Sequence, residues 1–305
     1  LTFVLKELCW IKDKLNNKYM KQEFQLFNQK VEELVKLGKS KIAFGLKEPN
    51  EEILESLKRG RQYADIILVG NQAIKNVEGF EKIIAEKPEE KLASMLANDE
   101  VEGIVRGTID DFTTYEAYER LTGEKYTFCP GLLEDPKGRQ FFLTAASNPE
   151  GWDREERLKT TINIANFVKE WGIEPNIAVF TGRRHETYPR KKEITDGVDG
   201  ILNKTYEDAE YIVEKLKEQG LEAKNWAIDL NPAVEAGANV LCPVNGMVGN
   251  QMFRVLLFSG GKILSATRLG LSRIYEDNSR TEKDFEFHIK WTVAMINKKK
   301  SKAKH

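Results

Sequence analysis

Histidine and cysteine are scarce in this chain of 305 residues, with three of each. The cysteines, Cys9, Cys129 and Cys242, are scattered and form no CxxC pair. Neither a disulfide framework nor a structural zinc site is therefore expected, and a reducing compartment fits. Three isolated histidines, His185, His288 and His305, cannot build a histidine-rich metal site. No metal is implied, and the cofactor stays unknown. A surplus of one charge is also missing: 47 Lys+Arg stand against 48 Asp+Glu, a formal net charge of -1. Nucleic-acid and membrane-surface binding normally need a basic excess, so neither partner is expected. No apolar run approaches roughly 18 residues, which excludes an apolar helical span. Nor is a signal segment expected, because Lys6 and Glu7 break Leu1-Thr2-Phe3-Val4-Leu5 at once and no small-residue cleavage site follows. The expected location is cytoplasmic.

Apolar residues make up 41% of the chain, too many for a disordered segment and typical of a globular one. The length suits two domains or one large α/β domain. Met20 opens the first strongly periodic segment, so residues 1–19 are expected to be an extension outside the core. N-terminal sequencing of native protein tests this, and Leu1 or Thr2 at the terminus would refute it. The lysine-rich residues 299–305 are expected to be a frayed, solvated tail.

Between these ends, helical and strand patterns alternate. Phe24, Phe27, Val31, Leu34 and Val35 recur at helical spacing, with Gly38 as a stop. Asn50 can cap a helix that presents Ile53, Leu54 and Leu57 and ends at Gly60. Asp153 and Glu156 resemble a capping box before Leu158, Ile162, Ala165, Val168 and Trp171. Thr205 and Asp208 are read as the start of a further helix, which ends at Gly220. Short runs at 42–45, 66–70, 101–105, 141–145, 177–180, 239–242 and 262–264 are apolar on both faces. Such runs, separated by helices, point to a parallel sheet covered on both sides.

In parallel α/β folds, ligands collect beyond the carboxyl ends of strands. Three such ends draw notice. Thr181-Gly182-Arg183-Arg184-His185 follows a strand, and two guanidiniums suit a phosphate or carboxylate. An ordinary basic surface loop explains it equally well. Asn245-Gly246-Met247-Val248-Gly249-Asn250 either offers backbone N–H groups to an anion or is a simple turn into a helix, the commoner case. Asp277-Asn278-Ser279-Arg280, with Asp284 and Glu286 beyond, either binds phosphate beside a proton acceptor or caps a helix with exposed ion pairs. Arg106-Gly107-Thr108 with Asp110 and Asp111 also ends a strand. That acidic pair either starts a helix through its dipole or, more rarely, holds Mg²⁺. No P-loop, dinucleotide GxGxxG or GxSxG elbow is present.

Taken in order, these segments resemble the phosphate acetyl/butyryl transferase family over most of residues 40–295. Asn148-Pro149 through Trp171-Gly172-Ile173-Glu174-Pro175-Asn176-Ile177-Ala178-Val179 is similar to that family's NP, long helix, GIEP and strand passage. Ala238-Asn239-Val240-Leu241 to Gly249-Asn250 resembles its strand followed by a GN helix start, and Asp277-Asn278-Ser279-Arg280 its DLSRG signature. A closer likeness is to the methanogenesis marker protein 4 family, labelled a methyltransferase subunit X, within the same superfamily.

The resemblance implies a two-domain α/β fold of the isocitrate and isopropylmalate dehydrogenase type, with a cleft between domains and usually a homodimer. Domain one would take residues 20–147 and 268–298, and domain two residues 148–267. It implies a transferase of methanogen one-carbon metabolism, acting on a small anionic ligand and with other methyltransferase subunits. The alternatives are a phosphate acyltransferase, in which the thiol of coenzyme A attacks an acyl phosphate, and a non-catalytic ligand-binding or assembly subunit. Carried over, Ser279 and Arg280 hold the phosphate, Asp284 or Glu286 takes the proton, and Thr113, Thr114 and Arg120 match a threonine pair and arginine. Thr181, Gly182, Arg183, Arg184, Gly249 and Asn250 would bind ligand. Two features depart from the acyltransferases. Arg183 and Arg184 stand where small hydroxyls would sit, and Thr281 replaces the signature glycine. Methyl transfer has no sequence support of its own, since neither a glycine-rich S-adenosylmethionine loop nor a DxHxxG corrinoid signature is found.

Overall fold

A computed structural model describes residues 26–147 and 149–303. The expected extension at 1–19, Met20, Phe24, Cys9, Asn148 and His305 lie outside the described residues.

The first half of the chain runs α1 (Leu26–Val35), β1 (Ser40–Gly45), α2 (Glu51–Gly60), β2 (Ala64–Gly70), β3 (Glu81–Ile84), α3 (Pro88–Ala97), β4 (Gly103–Val105), α4 (Asp111–Thr122), β5 (Gly131–Glu134) and β6 (Gln140–Leu143). It continues through α5 (Arg154–Lys169), β7 (Asn176–Phe180), α6 (Tyr188–Lys191), α7 (Gly197–Glu218), β8 (Glu222–Ala227), α8 (Leu230–Glu235), β9 (Val240–Cys242), α9 (Gly246–Phe258), β10 (Lys262–Thr267), β11 (Ile274–Asp277) and α10 (Glu286–Lys302). Local chemistry sets several ends. Asn50 caps α2, its Oδ1 accepting the Ile53 N–H at 2.9 Å. Asp153 caps α5 through the N–H groups of Glu155 and Glu156. Each satisfies donors that a helix start otherwise leaves open.

Two units form. One comprises residues 30–131 and 263–303; its strands lie in the order β3-β2-β1-β4-β11-β10. The pairs β1–β2, β2–β3, β1–β4 and β4–β11 are parallel. Helix α10 packs against β4, β11 and α2, and buries Ile289, Trp291, Val293, Ala294 and Ile296. Phe44 of β1 meets Phe285 edge to face at 4.8 Å. The other unit comprises residues 26–29 and 132–262, with the order β5-β6-β9-β7-β8. Its pairs β6–β9, β7–β9 and β7–β8 are parallel, and Phe142 of β6, Phe167 of α5 and Trp171 form an edge-to-face chain.

Four expectations need correction. The sheet is not wholly parallel: β10 and β11 pair antiparallel, Ala266 opposite Asp277. Helix α7 begins at Gly197, not at Thr205. The Thr205 hydroxyl donates back to the Leu202 carbonyl at 2.7 Å, a bond that a threonine inside a helix can make. Strands β3, β5, β8 and β11 had no strong apolar signal; β8 alternates exposed Glu222 and Lys224 with buried Ala223, Asn225 and Ala227. Finally, the lysine stretch is helical through Lys302, and Lys300 pairs with Glu102.

Candidate functional site

In the unit of residues 30–131 and 263–303, the chain runs from β1 outward to β2 and β3, then returns to β4 on the other side of β1. That reversal opens a crevice at the carboxyl ends of the strands. Because β1, β4 and β11 are parallel, the segments leaving them at 46–50, 106–110 and 278–283 emerge on one side. They enclose a pocket of about 430 Å³ whose wall includes Lys47, Arg106, Thr108, Asp111, Arg280 and Glu282. Two glycines let the backbones close in. A Cβ on Gly45 would stand 2.3 Å from the Arg106 carbonyl oxygen. One on Gly107, at φ +65°, would stand 2.1 Å from that of Gly45.

Arg106 is buried and stitches β4 to β11. Its Nε donates to Asp277 Oδ1 at 2.8 Å, Nη1 to the Gly107 carbonyl at 3.0 Å, and Nη2 to the Asn278 carbonyl. The Asn278 amide closes the other side, accepting the Gly107 N–H and donating to the Gly107 carbonyl, both at 3.0 Å. Every one of these groups would be costly to bury unpaired.

Asp277 passes the charge on. Its Oδ2 lies 3.3 Å from Nη2 of Arg268, and the same Nη2 donates to Asp111 Oδ1. The Arg268 guanidinium stands over three rings, Tyr115 at 4.5 Å, Tyr126 at 4.6 Å and Tyr275 at 5.3 Å. Arg106, Asp277, Arg268 and Asp111 thus form a row of alternating charges with no net charge. Burial and the Asp277 charge push the Asp111 carboxyl above the usual aspartate range, against the pull of Arg268. Burial opposes the charge on Arg268, but Asp277 and Asp111 outweigh it and raise its pKa. Asp110 behaves differently. The Thr113 N–H and hydroxyl, at 2.9 and 2.8 Å, hold its carboxyl low as the cap of α4.

A second polar row lies behind the pocket. His288 is fully buried on α10, and its Nδ1 is 2.8 Å from Oε1 of the equally buried Glu276. Glu276 also accepts from the Ala266 N–H, Ser265 and Thr267. On the other side, His288 Nε2 stands 3.9 Å from Oε2 of Glu282, which reaches the pocket wall. Burial alone would lower the imidazole, but Glu276 and Glu282 outweigh it and push it up to about 9.

The residues singled out in the sequence are distributed as follows. Arg280 is exposed on the pocket wall, and its side chain makes no hydrogen bond or ion pair among the described residues. Ser279 lies just outside the wall, its hydroxyl 3.0 Å from that of Thr281. Asp284 and Glu286 both bind Arg59, at 2.9 and 2.7 Å, and line no part of the pocket. Thr113 and Thr114 both bond to Asp110 in the first turn of α4, and Arg120 sits near its far end, 3.9 Å from Glu90.

The remaining candidates belong to the other unit. Arg183 is buried and donates to the Asp199 carboxylate at 2.6 Å and to its carbonyl at 2.9 Å, while Arg184 is exposed. Thr181 donates to the Arg183 carbonyl at 2.6 Å, and the Gly182 N–H donates to Thr205. At the start of α9, Asn245 caps through the Val248 N–H, and Asn250 donates to the Ala146 carbonyl at 2.8 Å. A Cβ on Gly249 would fall 1.8 Å from the Ala145 carbonyl oxygen, so this glycine serves close packing of backbone on backbone.

Sequence reading missed Arg268, Glu276, Glu282, His288 and the tyrosine cage. One signal was available. The helix around Phe285, Ile289 and Val293 carries His288 and Thr292 on a face that must be buried, and buried polar groups need partners.

No protein-family model matches the chain. It is 28% identical over 284 residues to a protein of Methanosarcina mazei named "Putative methyltransferase mtx subunit X", covering 90% of this chain and 98% of that one. A protein of the same name from Methanosarcina barkeri is 27% identical over 272 residues, covering 87% and 97%. Among solved structures, it is similar to a branched-chain phosphotransacylase from Enterococcus faecalis, with a TM-score of 0.59, 18% identity, and coverage of 84% and 98%. A phosphotransacetylase from Staphylococcus aureus gives a TM-score of 0.56 at 15% identity, with coverage of 87% and 99%. The likeness to subunit X and to the phosphate acyltransferase fold, carried in the sequence by the GIEP and Ser-Arg segments, therefore holds across most of the chain.

Proposed function

We propose that this protein is a transferase subunit of one-carbon metabolism that seats a small anionic molecule in the pocket at the ends of β1, β4 and β11. The observation that carries the reading is Arg280, a guanidinium on the pocket wall that makes no hydrogen bond or ion pair among the described residues, Asp110 of the same wall acting on it only through its charge. An arginine fork is preshaped for phosphate or carboxylate, and an unpaired one loses no existing bond on binding. Lys47 adds positive charge to the same wall, only loosely engaged by Glu89 at 3.9 Å. The methyl-transfer part of the reading comes from the name of the relatives, and the word subunit in that name favours action with other methyltransferase subunits.

A phosphate acyltransferase is the second reading. Arg280 on the pocket wall, with Ser279 just outside it, and the names of the similar structures favour it. In that reaction, a thiolate–carbonyl bond forms, the bond from the carbonyl to phosphate oxygen breaks, and phosphate leaves towards Arg280. The pairing of Asp284 and Glu286 with Arg59 argues against either as the group that takes the thiol proton.

A thermal-shift screen tests both readings. The ligands are phosphate, acetyl phosphate, coenzyme A, S-adenosylmethionine, a cobalamin and a pterin one-carbon carrier. A ligand at 100 times its dissociation constant stabilises by about 2.7 kcal/mol, which is readily seen. Stabilisation by acetyl phosphate or coenzyme A supports acyl transfer. Stabilisation only by a one-carbon carrier or cobalamin supports methyl transfer. In either case Arg280→Ala should weaken binding of the anion by roughly 1.5–3 kcal/mol in calorimetry, the worth of a charge-assisted hydrogen bond. Unchanged affinity with an intact fold would remove Arg280 from the site.

A further inference from the structure

The pocket wall also holds a fixed group that the anion reading does not use. Asp111 opens α4, and its side chain is 30% exposed into the pocket. One carboxylate oxygen, Oδ1, is held by Arg268. The other, Oδ2, has no hydrogen-bond partner among the described residues. The group behind it is unusually well fixed. Arg268 is 7% exposed, is clamped between Asp111 and Asp277, and stands over the rings of Tyr115, Tyr126 and Tyr275. A guanidinium held by two carboxylates and three ring faces has little freedom, so the oxygen it leaves exposed is held in one place.

The charges decide what that oxygen is for. Arg106 and Arg268 balance Asp277 and Asp111, so the row contributes no net charge to the pocket. Asp111 therefore does not repel an anion as an isolated carboxylate would. It presents a single acceptor oxygen, and Arg280 on the same wall makes no hydrogen bond or ion pair among the described residues. Burial and the neighbouring Asp277 also make this carboxyl more basic than a surface aspartate, and a more basic oxygen is a stronger acceptor.

We propose that the pocket selects a two-ended ligand: a phosphate or carboxylate at Arg280, and a hydrogen-bond donor such as an amine, hydroxyl or thiol at Asp111. This rests on the anion-binding reading above and adds a substrate class to it. A bare anion fills one end of a pocket of about 430 Å³ and leaves Asp111 facing water. A molecule a few bonds longer, with a donor at its far end, can reach the held Asp111 oxygen while Arg280, free to turn, takes its anionic end.

Two probes differing only at the far end test this by calorimetry: ethyl phosphate and 2-aminoethyl phosphate. The second should bind about tenfold tighter, the scale of a hydrogen bond to a charged group. Asp111→Asn should bring the two affinities to within about twofold of each other, whatever its effect on either alone. Equal binding of the two probes by the unaltered protein overturns the proposal without any variant. So does a preference that survives Asp111→Asn, because another carboxylate would then be its source. The anion reading fails differently, and with ethyl phosphate alone: no binding, or binding untouched by Arg280→Ala. That result would remove the proposal with it.

Discussion

Arg268 carries a full charge where little water reaches, and its two carboxylates and three tyrosines are what make that tolerable. Removing it leaves Asp111 without its ion pair beside Asp277, which keeps Arg106. Arg268→Met should therefore destabilise by about 3–5 kcal/mol in urea unfolding, the cost of breaking a buried ion pair. Adding Asp111→Asn to that variant should restore part of the loss; no restoration would mean that the arginine acts by packing alone. His288 makes a prediction about pH. Its folded value of about 9 lies above the ordinary 6.5, so its stabilisation is complete below pH 6.5 and is lost as pH rises through about 9. The melting temperature should fall across that window. In His288→Gln, which lacks the imidazolium between Glu276 and Glu282, the profile should be flatter; parallel profiles would refute the assignment. His288 left a trace in the sequence, as a polar residue on a face that must be buried, and Arg268 left none. Arg268 meets Asp111 only because β10, β11 and β4 lie side by side, and no spacing along the chain encodes that.

At the level of elements, capping chemistry was legible and close packing was not. Asn50 and Asp153 announce α2 and α5 because a cap is a local bond, made within three residues. Gly249 gives the opposite case. Its role depends on the Ala145 carbonyl, about a hundred positions away, so sequence alone leaves it open between anion site and turn. Gly249→Ala should destabilise by about 2–3 kcal/mol or more, since backbone must move to admit the methyl group. A change within about 0.5 kcal/mol would show that α9 shifts freely at its first turn. The alternation of β8 was missed for a related reason. Its exposed charges mask a strand with one buried face, which the search for runs apolar on both faces could not register.

For the whole molecule, α9 poses a question of association. It is strongly apolar, yet among its residues only Gly246 and Gly249 are buried. Phe258 is 91% exposed and Val255 61%. Contiguous apolar surface of this kind on a globular protein usually marks a contact. We expect concentration-dependent self-association in sedimentation, lost in Phe258→Asp; a monomer at every concentration, in both proteins, would count against it. The strand order has a different consequence, in time. β11 lies beside β4, but the ribosome makes residues 274–277 long after 103–105. Everything from β5 to β9 emerges in between, and the parallel strands β6, β9, β7 and β8 can pair among themselves while β4 still waits for its neighbour. The pocket needs Arg106 from the early segment and Arg280 from the late one. During synthesis it is therefore among the last features to exist, and a nascent chain stalled before β11 would carry one folded unit, an unfinished sheet edge and no site.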